Sequence, residues 1–186
     1  MLTICFRAFT STGSVTTADH VSQNTDQARL AVQQLDRQIR SGNILYDPGK
    51  EGLQADGVTP DPVAVANGIF PGLSMRVYTQ ANGSQRCVQW RVTNGTLQSR
   101  SWSQSWSVDG DVTSWHNVAE HIVNTSANPA FALDPSSGFA NRLINVRILV
   151  NADPAHQKTV EIDASIAGRN TEYGYDSSTC SSAPPA

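Results

Sequence analysis

Apolar residues recur at Val21, Thr25, Ala28, Val32, Leu35 and Ile39, with spacings of 4, 3, 4, 3 and 4. That is one stripe on a helix, narrow at first and widened by Ala31. No Gly or Pro interrupts the segment, and Arg37 and Arg40 fall in its last turn, where they complement the helix dipole. The pattern predicts a helix over residues 15–41, with Gly42 as a left-handed C-cap. The period then changes. Residues 43–47 read as a short strand, and residues 48–72 as a long Gly/Pro/Asp-rich loop with a helical turn around 63–66. Leu73, Met75 and Val77 alternate with polar residues, as do Val88, Trp90 and Val92, and Asn94-Gly95 supplies the strongest short hairpin signal. That turn sets Val92 opposite Leu97 and Trp90 opposite Ser99. Residues 73–102 therefore read as a three-stranded meander with one apolar face, its other face (Gln89, Arg91, Gln98, Arg100) turned to water. Residues 115–123 read as a strand or short helix and 131–133 as a strand. Ile144, Val146, Ile148 and Val150, answered by Val160, Ile162, Ala164 and Ile166, form a last hairpin.

The expected fold class is α+β: a long N-terminal helix packed on an antiparallel sheet of meander and hairpin strands. Its helix–sheet core is Ala28, Val32, Leu35, Ile39, Val88, Trp90 and Val92. The expected organisation is residues 1–14 as the remnant of a hydrophobic helix, 15–170 as a globular domain (helix 15–41, loop 48–72, β-rich 73–170), and 171–186 as a C-terminal tail. Residues 1–9, MLTICFRAF, are apolar except for Thr3 and Arg7 and too short to span a bilayer, which needs about 20 residues. They lack the basic n-region and small-residue exit of a signal peptide. They read as the end of a membrane-anchored helix whose beginning lies upstream, exposing Leu2, Ile4, Phe6 and Phe9 for assembly; a helix turn packed in a soluble core is the other reading.

Composition changes the picture in two places. With 186 residues and a net charge of −3, the chain carries no basic footprint for nucleic acid and no polybasic membrane patch. Of three cysteines, Cys5 sits in the apolar head, leaving Cys87 and Cys180 either as a disulfide or as two unrelated thiols. A disulfide would order a tail that has little apolar surface of its own and would imply an oxidising compartment.

Catalytic motifs are absent: no nucleophile elbow, phosphate loop, dinucleotide fingerprint, HExxH or CxxC occurs. His20, His116, His121 and His156 fall in different predicted elements, and Asp109-Gly110-Asp111 reads as a turn. No metal, cofactor or enzymatic activity is expected. Asn82-Gly-Ser, Asn94-Gly-Thr and Asn124-Thr-Ser match the glycosylation acceptor pattern, two of them at turns that backbone geometry already explains. Trp102 and Trp106, in the segment SWSQSW, form the aromatic cluster held open as a contact surface.

The order of these parts is itself distinctive. An apolar head runs into a helix ending QARLAVQQLDRQIRSGN, followed by the meander CVQWRVTNGTLQSRSW and the closing hairpin VEIDASIAGRN. From Thr10 to Asn170 the chain resembles the minor pilins of type IV pili and the minor pseudopilins of type II secretion systems, particularly the J-type. The family's leader ending in glycine, the phenylalanine after its cleavage point and the glutamate five residues into the mature helix have no counterpart in this sequence. The resemblance implies a non-enzymatic pilin-like subunit of the cell envelope. Such a subunit is membrane-anchored by its N-terminal helix before assembly, and then joins other pilin or pseudopilin subunits in a surface or periplasmic filament. The alternative is a secreted β-rich binding or adhesion domain that uses the Trp102/Trp106 surface.

Overall fold

The computed structural model describes residues 12–81, 83–135, 142–153, 158–168 and 178–185, with side chains from residue 21 onward. Expected Leu2, Ile4, Phe6 and Phe9, together with Cys5, Asn82 and His156, lie outside the described residues. Helix α1 (Thr12–Arg40) leads into β1 (Gly42–Leu45), a 3-10 turn at Pro48–Lys50 and the short helix α2 (Pro62–Ala66). Strands β2 (Ser74–Thr79), β3 (Arg86–Thr93) and β4 (Thr96–Trp102) follow, then one helical turn, α3 (Trp106–Asp109). The chain continues through β5 (His116–Glu120), β6 (Phe131–Asp134), β7 (Leu143–Asp153) and β8 (Lys158–Ala167).

The expected fold class needs correction. The fold is predominantly β, and its strands form two antiparallel sheets: a five-stranded sheet in the order β1-β2-β3-β4-β5 and a three-stranded sheet in the order β6-β7-β8. Nor does α1 lie across the meander. Its most extensive backbone contacts are with β7, β5 and β8, and those with β2 and β1 are local. A cleft of about 260 Å³, lined by Gln34 and Gln38 of the helix and by Val88, Ser99 and His116, opens beside the bond from Trp90 to Gln38. The physical reason lies in β7. Ile144, Val146, Ile148 and Val150 are all buried on one face of a long hairpin, and that face competes for the helix. Alternation along each strand says which face is apolar; it does not say which strands share a sheet.

Both sheets and the helix meet in one core. Ala28, Ala31, Leu35 and Ile39 of α1 join Met75, Val77, Val88, Trp90, Val92 and Leu97 from the first sheet, and Phe131, Ile144, Val146, Ile148 and Val150 from the second. Ala31 is fully buried while Val32 is only half-buried, so the helix is rotated slightly from the expected stripe. That rotation brings polar groups inward: Asn24 donates to the Ala152 carbonyl (3.3 Å), and Gln38 Oε1 accepts from Trp90 Nε1 (2.6 Å). A buried indole N–H without such an acceptor would forfeit a hydrogen bond.

Local chemistry explains the junctions. The Asn94-Gly95 turn has positive φ at both residues, 48° and 74°, and pairs Val92 with Leu97 and Trp90 with Ser99. Gly42 is not a left-handed cap; it opens β1, and a Cβ there would lie 2.8 Å from Val77 Cγ2 and 2.9 Å from the Ile39 carbonyl. Glycine serves close approach there rather than positive φ. Gly72 does need both, with φ +71° and Pro129 2.7 Å from an added Cβ. Its carbonyl accepts from the amides of Ala130 and Phe131, joining the two sheets. A second junction follows β5, where Val123 donates to Leu149 and Asn151 donates to His121.

Leu35 is fully buried and Gln33 is exposed on the same helix. Leu35→Ala should cost ~2–5 kcal/mol, and Gln33→Ala should stay within roughly ±0.5 kcal/mol. Chemical denaturation of the two variants checks this; equal, small effects would place Leu35 outside the core.

Candidate functional site

The outer face of the first sheet carries three cross-strand rows. Register aligns Ser74 with Arg91 and Gln98, Arg76 with Gln89 and Arg100, and Tyr78 with Cys87 and Trp102. This is the face whose polar residues suggested water. The structure corrects that expectation: Gln89 is 1% exposed and Arg100 is 3% exposed. Three segments cover them, namely the loop after the 3-10 turn, Trp115 before β5, and the tail at residues 178–185.

The tail is held covalently. Cys87 and Cys180 form a disulfide, with Cα atoms 5.7 Å apart across 93 residues of sequence. Around it Tyr78, Trp102, Cys87 and Cys180 make a second small apolar cluster, with Tyr46, Trp106 and Val112 half-buried against it. Tyr46 donates its hydroxyl proton to the Thr179 carbonyl. Trp102 is thus fully buried and cannot serve as an exposed contact, while Trp106 is half-buried beside it. The expected Trp102/Trp106 surface does not exist as a pair. The bulk of the indole at Trp102, opposite Cys87 in register, is used to seat the disulfide.

Burying the middle row forces its polar groups to find partners within the protein. Gln89 Oε1 accepts from Arg100 Nε (3.2 Å) and Nη2 (2.9 Å), and Gln89 Nε2 donates to Glu51 Oε2 (3.2 Å). The other Glu51 oxygen takes Arg76 at 3.0–3.1 Å. Arg76 reaches on to the carbonyls of Cys180 (2.7 Å) and Ser181 (2.8 Å), and Arg100 to those of Pro184 (2.7 Å) and Pro185 (3.0 Å). The tail's carbonyls are therefore read at both ends by arginines. Arg91 donates to Gln98 Oε1 (2.8 Å) and to the Asn67 carbonyl, and stacks on Trp115 with its guanidinium carbon 3.9 Å from the ring centre. Arg100 lies 4.5 Å from the same ring. Loop 50–69 and the tail leave between them a cleft of about 380 Å³, lined at its base by Glu51, Arg76, Gln89 and Arg100.

Electrostatics follow from burial. The Arg100 guanidinium is pushed down to about 10, first by loss of water and then by its neighbour Arg91. Burial also pushes the Glu51 carboxyl up, against the opposing pull of Arg76 and its hydrogen bonds. Glu51 and Arg76 form an ion pair that is largely out of water. Among the described residues, no three His, Cys, Asp or Glu side chains gather as a metal site. Of the sequons, Asn94 is exposed at its turn, but the Asn124 side chain is buried and bonded to Arg147, Asn128 and Leu149.

Sequence reasoning named Cys87 and Cys180 but missed the Arg76–Gln89–Arg100 row as a buried element. The available signal was two arginines and a glutamine in register on the same face as Cys87. No protein-family model, curated protein or solved structure matches the chain.

Two measurements check this site. In the folded protein Glu51 holds its proton at a pH where the unfolded chain, near the ordinary value of 4.5, has released it. Stability should therefore fall as pH rises from about 4.5 through the raised folded value. Glu51→Gln should remove that part of the slope in denaturation midpoints; parallel pH curves for the two proteins would contradict it. For the disulfide, Cys87→Ser/Cys180→Ser should lower stability by up to ~4–5 kcal/mol, the chain-entropy limit for so long a loop. An unchanged denaturation midpoint would show that the tail docks without its bond.

Proposed function

We propose that this chain is a non-enzymatic assembly subunit of the cell envelope, of the minor pilin or pseudopilin kind, joined to like subunits through its N-terminal helix. The observation that carries the reading is the direction and length of α1. It is continuous from Thr12 to Arg40, 29 residues, and its buried apolar positions Ala28, Ala31, Leu35 and Ile39 lie in its C-terminal part. The most N-terminal side-chain bond described between α1 and the strands is that of Asn24 to Ala152. From Asn24 back to Thr12 the helix runs on for about 18 Å, at 1.5 Å per residue. In sequence it is preceded by the apolar stretch Met1–Phe9. An apolar segment of that kind, if left uncovered by the domain, needs lipid or other helices.

Two further facts support the setting. The Cys87–Cys180 disulfide fits an oxidising compartment outside the cytosol. Surface chemistry is polar but sparsely charged, with 16% Asp, Glu, Lys and Arg in the whole chain. Among the described residues, no helix is long and apolar enough to cross a membrane. In this proposal the anchoring role falls to the apolar sequence Met1–Phe9, which lies outside the described residues. With Trp102 buried, the secreted binding-domain alternative loses the Trp102/Trp106 surface it relied on.

Deleting Met1–Phe9 should leave the melting temperature nearly unchanged and make the protein more soluble and more monomeric. Leu2, Ile4, Phe6 and Phe9 would then no longer offer apolar area worth about 25 cal/mol per Å² on burial. A form carrying a complete pilin leader and helix should go to the membrane and enter a pilus-like fibre. Unfolding on removal of the head, or a leader-bearing form that stays free outside the cell, would refute the assignment.

A further inference from the structure

We propose that the cleft at Arg100 is a carboxylate-recognition site, and that its ligand is an extended peptide presenting a carboxylate. Arg100 is almost wholly buried, and among the described residues no carboxylate lies within ion-pair distance of it. Its acceptors are all neutral: Gln89 Oε1 and the carbonyls of Pro184 and Pro185. Buried charges are ordinarily paired with an opposite charge, and leaving one uncompensated is costly. The surplus is larger than one group. Arg91, stacked on the same Trp115 ring, also has only neutral acceptors, and Trp115 Nε1 is a buried donor without a partner. Arg76, by contrast, already has Glu51. The cleft itself is lined by Lys50, Arg76 and Arg100 together with Glu51 and Asp61; Glu51 is taken by Arg76, which leaves Arg100 as the guanidinium at the base without an anion among the described residues.

The cleft is shaped for a chain. Its volume of about 380 Å³ lies between loop 50–69 and the tail and opens on Arg100. The tail itself shows which groups the guanidiniums accept, since main-chain carbonyls from Cys180 to Pro185 bond to Arg76 and Arg100 at either end. A carboxylate is a stronger acceptor than a carbonyl and can engage a guanidinium through two parallel bonds. It would replace the Pro184 and Pro185 carbonyls at Arg100 without disturbing the Arg76–Glu51 pair.

The test uses the full, oxidised chain and calorimetric titration with three peptides. These are acetyl-Ala-Ala-Pro-Ala as the free acid, the same peptide as its C-terminal amide, and acetyl-Ala-Asp-Pro-Ala amide. Saturable binding of the free acid at least tenfold tighter than the plain amide is expected, weakening as salt is raised. Binding of the Asp-containing amide to the same degree would identify a side-chain carboxylate as an equal ligand and also support the site. Arg100→Gln should lose at least tenfold in affinity, while Arg86→Gln, whose arginine pairs with Asp111 elsewhere, should bind as the parent does. If Arg100→Gln fails to fold, the free-acid against amide comparison on the parent chain decides alone. No saturable binding by either carboxylate peptide, equal binding of acid and plain amide, or equal losses in the two variants would overturn the proposal.

Discussion

The bond between Cys87 and Cys180 is the constraint on which the outer half of this structure depends. Cys87 stands in the middle strand of the first sheet, two residues before Gln89 and on the same face. A segment fixed there must cross the neighbouring row, and that row is Arg76–Gln89–Arg100. The tail brings few apolar groups of its own, Pro184 being its buried exception beyond the cysteine. Its contribution is mostly main-chain carbonyls, which accept from Arg76, Arg100 and the Tyr46 hydroxyl. Covering the row removes water from two guanidiniums, an amide and a carboxylate, and the chain Arg100–Gln89–Glu51–Arg76 is the response to that removal. Partly satisfied networks of this kind are costly, and fully satisfied ones are rigid.

The inner half answers to a different rule. Three apolar surfaces, one helical and two from sheets, close on each other, so none of the three could be dry with only one of the others. The helix makes its most extensive contacts with the β7–β8 hairpin and β5, and a cleft opens beside Gln34 and Gln38 on the meander side. Trp90 spans the difference: its ring is in the common core and its N–H reaches Gln38 on the helix. The same sheet is thus apolar on its inner side, while its outer side sets the buried Gln89–Arg100 pair beside the apolar Tyr78–Cys87–Trp102 row. Only the second kind of burial needs a covalent strap.

Periodicity was sufficient for the long helix, the meander and the last hairpin, but it left residues 115–123 open between helix and strand, where the structure has β5. The hairpin register at Asn94-Gly95 follows from the positive φ that turn requires, whereas alternation along β7 and β8 gives their apolar faces but not the pairing of Val146 with Ala164. Partition into two sheets was not legible, because Ile144 to Val150 and Leu73 to Val92 carry the same two-residue signature. The buried polar row was illegible for a related reason. Arg76, Gln89 and Arg100 look like solvent-facing residues unless one knows that a segment some ninety residues away crosses them. Gly42 misled in the opposite way, since a glycine after a helix suggests a cap and here makes room for Val77. Val32 and Ala31 exchanged roles because one degree of freedom, rotation about the helix axis, is set by packing rather than by spacing.

The central claim, that the disulfide-held tail keeps the Arg76–Gln89–Arg100 row out of water, is most directly tested by solvent exchange of the arginine side-chain Nε protons. Nuclear magnetic resonance of the oxidised and the reduced protein reads these protons one residue at a time. The account predicts slow exchange at Arg76 and Arg100 Nε in the oxidised chain. On reduction both should become fast, while the amides of Leu35 and Trp90 in the common core stay protected. Fast exchange at Arg100 in the oxidised protein, or protection of both arginines unchanged by reduction, would contradict it.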